Sequence, residues 1–378
     1  MVAVHGRAGS HCVGVPQWGC RPGCPMGTGS RPPTAGHILG PSGQPRNIAH
    51  TAARLSGRGH HHHEDEAHEK SNCHGISGRF SMQDSLPKRA LGRTGLKITQ
   101  LGFGGAERGL SDDAEADPQA ERILNAVLDA GINLIDTAPD YGANEDRIGR
   151  CIGHRREEFY LATKCGCNID AGGVRLEPGH LWTADRVRRN VEQSLRRLRT
   201  DHVDLLQMHN PSVEDVEREE LVQVLEEIRQ AGKTRFIGVS STAPHLLPFV
   251  EMGVFDTFQI PYSALERRHE RMIQQAADAG AGIIIRGGIG LGHRGAEESW
   301  SKWDRARLDD LADGMSRYEF VLRFTLTHPS CHSTIVGTQD LEHLSSNVTA
   351  AKAGPLAPEV YNLAKERLAN IGEDSEGQ

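Results

Sequence analysis

The sequence predicts an α/β chain that folds as a closed (β/α)8 (TIM) barrel behind a disordered N-terminal extension. Two observations carry the barrel. Short apolar runs alternate with amphipathic helical stretches, which demands parallel strands joined by helical crossovers. Eight such units fit within roughly 260 residues, the count and size of a closed barrel. A third observation, a change of composition near residue 81, sets the extension apart. Of the 378 residues, 1–81 hold 14 of the 43 Gly, 10 of the 20 His and four of the eight Cys. They carry a net charge of +4, against −11 for residues 82–378.

Taken in order, the extension comes first. Gly14–Pro25 and Arg31–Pro45 are broken by Gly or Pro every few positions, so neither a strand nor a helix period survives. Such segments cannot bury enough apolar surface to offset an ordering cost of ~1–2 kcal/mol per residue. No charged start followed by an apolar stretch marks a secretory signal. The Arg-rich, acid-poor composition before Glu64 is that of a transit peptide without its amphipathic helix. His60, His61, His62 and His63, near His68, Cys73 and His74, read as a solvated run rather than a metal site. Cys20 and Cys24 have zinc-like spacing but no second pair. Met82 is therefore the expected functional start, with 1–81 dispensable and 82–378 the barrel.

Eight candidate strands follow: Ile98–Gly102, Asn133–Asp136, Phe159–Thr163, Val203–Met208, Arg235–Val239, Thr257–Ile260, Gly282–Ile285 and Thr334–Val336. Thr183 is placed to cap a helix running to Arg199, with Val187, Val191, Leu195 and Leu198 on one face. Glu219–Ala231, Tyr318–Thr327 and Leu341–Ala351 read as helices too, the first stopped by Gly232. An open doubly wound sheet is the competing architecture. Two short motifs are decoys. Gly290–Gly295 spells G-x-G-x-x-G but follows the seventh strand, so it reads as a Gly-rich barrel loop. Gly232-Lys233-Thr234 lacks the earlier Gly of a phosphate loop and reads as a helix-to-strand turn.

No apolar run approaches the ~20 residues of a membrane span. The net charge of −7 argues against a nucleic-acid partner held by bulk charge. Function in a barrel sits where strands end at the C-terminal face. There the second strand ends in Asp136 and leads to Tyr141, the third ends in Lys164, and the fourth leads into His209. Any one of these has a structural reading; four on successive strand ends point to chemistry. A free phenol titrates near ~10 and is a sluggish acid. A neighbouring ammonium favours phenolate, and a carboxylate keeps that amine charged. An imidazole can donate to and orient a substrate oxygen. The set suits proton donation to a developing alkoxide, as carbonyl reduction requires.

These residues resemble the aldo-keto reductase family over about Leu91 to Ala369. The motifs are Leu91-Gly92-Arg93-Thr94-Gly95-Leu96 with Leu101-Gly102-Phe103-Gly104, Ile135-Asp136-Thr137-Ala138 with Tyr141-Gly142 and Glu145, Ala162-Thr163-Lys164, and Asp204-Leu205-Leu206-Gln207-Met208-His209. Ile237-Gly238-Val239-Ser240 and Ile335-Val336-Gly337-Thr338 with Asn347 complete the set. The resemblance implies a (β/α)8 barrel with Tyr141 as acid/base, Lys164 and Asp136 as its tuning pair, and His209 orienting the carbonyl. It implies hydride transfer from a bound nicotinamide, with neither metal nor flavin. Ser240, Ser241 and Gln259 match the residues that hold the nicotinamide carboxamide, Ser241 standing where Asn is common. Arg286 occupies a position often held by a stacking aromatic, and can stack or meet the pyrophosphate. Gly337, Thr338, Gln339, His343 and Asn347 match the adenosine-phosphate site. The family favours NADP, with NAD as the alternative because Val336–Leu344 contains no Lys or Arg. Asn210 follows His209 toward the same pocket.

Cys165 and Cys167 flank the catalytic strand end and read as reduced packing thiols of a cytoplasmic enzyme, with a redox-sensitive pair as the other reading. The leading function is NAD(P)H-dependent reduction of small aldehydes or ketones, and the reverse oxidation. Its rivals are an NADP(H)-sensing barrel and a Schiff-base aldolase using Lys164, which would want a neutral amine. Substrate choice is expected in three barrel-top loops, Cys165–Trp182, Asn210–Glu217 and Leu291–Gly314, with Trp182, Trp300 and Trp303 either an apolar wall of the site or partly buried against the barrel rim. No motif specifies an oligomeric state.

Overall fold

The computed structural model describes residues 85–106, 117–290 and 296–373. The extension, its His and Cys residues, Met82 and Leu291–Gly295 lie outside the described residues. The described chain opens with a hairpin, β1 (Lys88–Ala90) and β2 (Lys97–Thr99), joined through a single 3-10 turn at Gly92–Thr94. The strands that follow are β3 (Leu101–Gly104), β4 (Leu134–Asp136) and β5 (Tyr160–Cys165). A second hairpin, β6 (Cys167–Ile169) and β7 (Arg175–His180), comes next. Then come β8 (Val203–His209), β9 (Thr234–Ser240), β10 (Thr257–Pro261), β11 (Gly282–Arg286) and β12 (Ser333–Val336). Setting aside the two hairpins, eight strands pair in parallel in the order β3-β4-β5-β8-β9-β10-β11-β12. β12 returns to β3 through Val336 opposite Phe103, which closes the barrel.

Helices fill the crossovers: α1 (Asp117–Asp129), α2 (Asn144–Cys151), α3 (Ala184–Leu198), α4 (Val213–Arg218), α5 (Leu221–Gln230), α6 (Leu246–Met252) and α7 (Glu270–Asp278). The C-terminal third adds α8 (Ala296–Arg305), α9 (Asp309–Ala312), α10 (Arg317–Thr327), α11 (Leu341–Ala353) and α12 (Pro358–Ala369). α3 shows how sequence sets an element. Thr183 accepts from the Arg186 amide at 3.2 Å as N-cap, and Val187, Val191, Leu195 and Leu198 are buried on the barrel side. No helix among the described residues is long and apolar enough to cross a membrane.

The first hairpin plugs the N-terminal mouth. Leu91, Leu96 and Ile98 pack with Leu134, Ala162, Leu205 and Ile284 as a small core inside the barrel floor. Gly92 is required there. Its φ is +48°, and a Cβ would stand 2.3 Å from the Gly282 nitrogen.

Seven strand expectations match barrel strands to within two residues at each end. The first, Ile98–Gly102, merges two elements, since the plug strand β2 ends at Thr99 and the barrel strand begins at Leu101. Thr99 turns its hydroxyl to the Leu101 carbonyl at 2.7 Å and breaks the run between them. The helix expected over Glu219–Ala231 starts at Leu221, because Glu220 takes a left-handed conformation between α4 and α5. Gly232 at φ +75° turns α5 into β9, so Gly232-Lys233-Thr234 is a turn. The three expected loops contain regular structure: β6–β7, most of α4, and α8 with α9. Trp303 is fully buried against Phe320 and Trp300, and Trp300 against Tyr318. Both tryptophans therefore belong to the packing between α8 and α10.

Two buried histidines serve as neutral acceptors. His269 Nε2 accepts the Ala243 amide at 3.2 Å, and His328 Nδ1 accepts the Ser330 amide at 3.1 Å. Burial pushes each imidazole down to about 4. In the unfolded chain the ring titrates near 6.5. Between those values the unfolded state holds protons the folded state does not, so this stability is complete above about 6.5 and is lost as pH falls toward 4. The thermal unfolding midpoint is expected to drop steadily across that window. The double substitution His269→Gln, His328→Asn is expected to flatten the drop, and an unchanged slope would assign it to other groups.

Candidate active site

Asp136 ends β4 with its carboxylate inside the barrel, 2% exposed. Three strands across the barrel donate to it. Lys164 Nζ from β5 reaches Oδ2 at 2.7 Å, while Gln207 Nε2 from β8 and Gln259 Nε2 from β10 reach Oδ1 at 3.1 and 2.8 Å. Lys164, fully buried, donates also to the Thr137 carbonyl at 2.9 Å. Burial works against the Lys164 ammonium, but Asp136 and Tyr141 together outweigh it and hold the amine above its ordinary value.

Tyr141 follows on the loop into α2. Its ring faces the ammonium, with Lys164 Nζ 4.9 Å from the centroid, and stands edge-on to His209 at 5.8 Å. The loop is held by Asn144, which donates to the Gly105 carbonyl, and by Glu145, which accepts from Thr163 Oγ1 at 2.7 Å. Burial raises the Tyr141 phenol above its ordinary value. Lys164 pulls it down, but Asp136 and Asp140 add to the rise. The ammonium acts in the direction the sequence suggests, yet the net effect is a phenol that keeps its proton.

The quartet Asp136, Tyr141, Lys164 and His209 therefore converges. A second layer went unread in the sequence. Asp140, with its side chain 1% exposed, lies 3.4 Å from His209 Nδ1, and Cys167 Sγ lies 3.3 Å from Asp140 Oδ1 and 3.4 Å from Nδ1. His180 sits T-shaped to His209 at 4.8 Å and stacks on Trp182. Burial favours a raised Asp140 carboxyl, but the His209 and Cys167 contacts outweigh it and keep it ionised. Burial lowers His209, and pushes His180 down to about 4. The Cys167 thiol is pushed well up by burial and by Asp140. Cys165 and Cys167 are free thiols. Cys165 is plain packing; Cys167 is part of the site. Gly166 between them explains the sharp departure from β5. Its φ is +87°, and the Trp182 ring lies 2.1 Å from where a Cβ would stand. The pairing of Cys167 with His180 across β6–β7 then delivers both residues to Asp140.

The cofactor candidates divide. Ser240 Oγ donates to Gln259 Oε1 at 3.2 Å, so both belong to the Asp136 network; Ser241 is buried beside them, its hydroxyl donating to the Thr242 carbonyl. Arg286 ends β11 with its guanidinium in no hydrogen bond or ion pair among the described residues. Gly337, Thr338 and Gln339 form the loop after β12, and His343 and Asn347 lie on α11. No hydrogen bond or ion pair among the described residues links this second group to the quartet. At the start of α11, Asp340 accepts from the Glu342 and His343 amides at 2.6 and 3.4 Å. Asn210 is exposed at the β8 end.

The sequence profile of the Aldo/keto reductase family matches residues 100–368. The chain belongs to the aldo/keto reductase family. YqkF of Bacillus subtilis (strain 168), described as an uncharacterized oxidoreductase, is 30% identical over 297 residues, covering 72% of this chain and 94% of that protein. L-galactose dehydrogenase of Arabidopsis thaliana is 27% identical over 285 residues, 69% of this chain and 87% of its own. The solved holo form of the aldo-keto reductase AKR11C1 from Bacillus halodurans superposes with a TM-score of 0.66 at 28% identity. It covers 75% of this chain and 96% of its own. As a member of this family, the protein is an NAD(P)-dependent oxidoreductase acting on carbonyl substrates.

The buried pair generates a direct expectation. Asp136→Asn keeps size, but with Oδ1 still accepting from Gln207 and Gln259 it turns an NH2 toward the Lys164 ammonium. Breaking a buried pair costs about 3–5 kcal/mol, and roughly 2–4 °C accompanies each kcal/mol in a domain of this class. The unfolding midpoint should fall by on the order of 10 °C. A midpoint equal to that of the unsubstituted protein would show that the pair is not integral to the barrel.

Proposed function

We propose that the chain reduces small aldehydes or ketones to alcohols, and runs the reverse oxidation, with Tyr141 as the proton donor. The observation that carries this reading is Tyr141 itself: a half-buried phenol kept protonated, beside an ammonium fixed by Asp136. A dinucleotide held at this rim would supply the hydride for the carbonyl carbon. As negative charge grows on the carbonyl oxygen, the Tyr141 hydroxyl gives its proton to that atom. The Lys164 ammonium stabilises the phenolate left behind, and Asp136 keeps that charge in place. His209 has Nδ1 on the Asp140–Cys167 side, which leaves Nε2 for the substrate oxygen. Asp140 and Cys167 hold the Nδ1 edge and so fix the ring in the orientation that turns Nε2 toward the carbonyl.

Arg286 is the observation that supports a dinucleotide here. An unpaired cation at the end of β11 fits an anionic pyrophosphate, while Ser240, Ser241 and Gln259 would hold the nicotinamide end. Gly337, Thr338, Gln339, His343 and Asn347 would hold the adenosine end. A Schiff-base aldolase needs a neutral amine, and the net effect of burial and Asp136 on Lys164 runs the other way.

The test is turnover over a panel of aldehydes and ketones, with NADH and NADPH assayed separately. Tyr141→Phe is expected to lower the rate by ~10²–10⁴, while dinucleotide affinity, read by fluorescence titration, stays unchanged. A fully active Tyr141→Phe protein would overturn the assignment.

Dinucleotide choice turns on Asp340. Its carboxylate already occupies two amides at the α11 N-terminus, where it would repel a 2′-phosphate placed by Thr338 or His343. Asp340→Ser keeps the cap and removes the charge. It should raise NADPH affinity several-fold relative to NADH, on the order of the 0.3–1 kcal/mol that a charge at a helix end is worth. An unchanged ratio would place the 2′-phosphate away from α11.

A further inference from the structure

We infer that Asp140, Cys167, His180 and His209 form a binding site for a divalent transition ion of the zinc class, which shares His209 with the catalytic quartet and itself supplies nothing to the hydride reaction. Three of the ligand atoms stand in a nearly equilateral triangle. Cys167 Sγ is 3.3 Å from Asp140 Oδ1, His209 Nδ1 is 3.4 Å from the same oxygen, and Sγ is 3.4 Å from Nδ1. Tetrahedral bonds of ~2.0–2.3 Å set ligand atoms about 3.3–3.8 Å apart. The triangle thus already has the edge of one face of such a tetrahedron.

The fourth ligand is His180. Its Nε2 lies 3.9 Å from Asp140 Oδ2, and the four residues each offer an atom within 4.8 Å of the others. That nitrogen is buried and has no hydrogen-bond partner among the described residues. An orphaned buried nitrogen aimed at a carboxylate is costly unless something between them uses both. A cation does.

The donor set names the ion. One thiolate, two neutral imidazoles and one carboxylate suit zinc and its neighbours, whereas magnesium and calcium take oxygen ligands. Coordination needs the Cys167 thiolate, so its proton passes to solvent as the ion binds. Asp140 and the thiolate together offset the ion's two charges. One cation competes: Arg175 Nη1 stands 3.7 Å from Asp140 Oδ2, but its side chain is half-exposed and free to turn outward. Bound, the ion would tie the β6–β7 hairpin to the end of β8 and to the Tyr141 loop, and would fix the His209 ring through Nδ1. No metal-binding spacing announces the site, since residues 140, 167, 180 and 209 come from four separate segments.

The test uses the full-length protein titrated with cobalt(II) and then with zinc. The His60–His63 run and the cysteines at 12, 20, 24 and 73 are common to every variant, so each reading is a difference from the unsubstituted chain. Cys167→Ser is expected to lose one equivalent of bound ion and the thiolate-to-cobalt charge-transfer absorption. His180→Gln should weaken affinity for that equivalent about tenfold or more. Zinc should raise the unfolding midpoint of the unsubstituted protein more than that of either variant. Circular dichroism of the ion-free variants checks that both fold. These readouts need no turnover, so they stand apart from the fate of the reduction reading. The same ion content and the same absorption band in all three proteins would overturn the site.

Discussion

The buried ion pair between Lys164 and Asp136 is the constraint on which the rest of this structure depends. The two opposite charges lie side by side in a dry barrel, and the Asp136 carboxylate helps to hold the Lys164 amine charged there. Asp136 also gathers Gln207 and Gln259 from strands on other sides of the barrel, so one carboxylate coordinates the polar layer at the C-terminal end. Below it the interior is apolar down to the plug of Leu91, Leu96 and Ile98. The barrel therefore has a floor that stabilises and a rim that carries charge.

That charge layer decides how Tyr141 behaves. Pairing logic alone says that an ammonium lowers a neighbouring phenol. In the folded protein, burial and the two carboxylates at 136 and 140 outweigh it, and the hydroxyl holds its proton. Such a group suits the proton donor of the proposed reduction. Asp140 thus belongs to the electrostatics of the site, although it is neither the nucleus of a motif nor a strand residue.

The barrel was legible because its signal is local and repeated. Strand runs such as Gly282–Ile285 are buried and read as continuous apolar sequence, and α3 announces its own cap and stripe. The signal failed where two elements abut without a turn residue, as at Ile98–Gly102. It failed also where the chain makes an excursion after Cys165. β7 is mostly exposed, and its residues carry no buried alternation to mark a strand. The sequence leaves Trp300 and Trp303 between a site wall and burial for a related reason, since an apolar ring in a presumed loop gives no sign of which helix will cover it.

By itself the sequence determined the eightfold alternation and the family, and it put Asp136, Tyr141, Lys164 and His209 at one rim, because each lies at or just beyond a strand end and strand ends share one face of a barrel. Only the tertiary structure decided what surrounds them. Closure brings Gln207 and Gln259 onto one oxygen of Asp136, and the turn at Gly166 folds Cys167 and His180 back over Asp140 and His209. Those contacts join residues far apart in sequence through angles that no local pattern encodes. Burial and proximity, which set the charge of each group, exist only once the chain has closed.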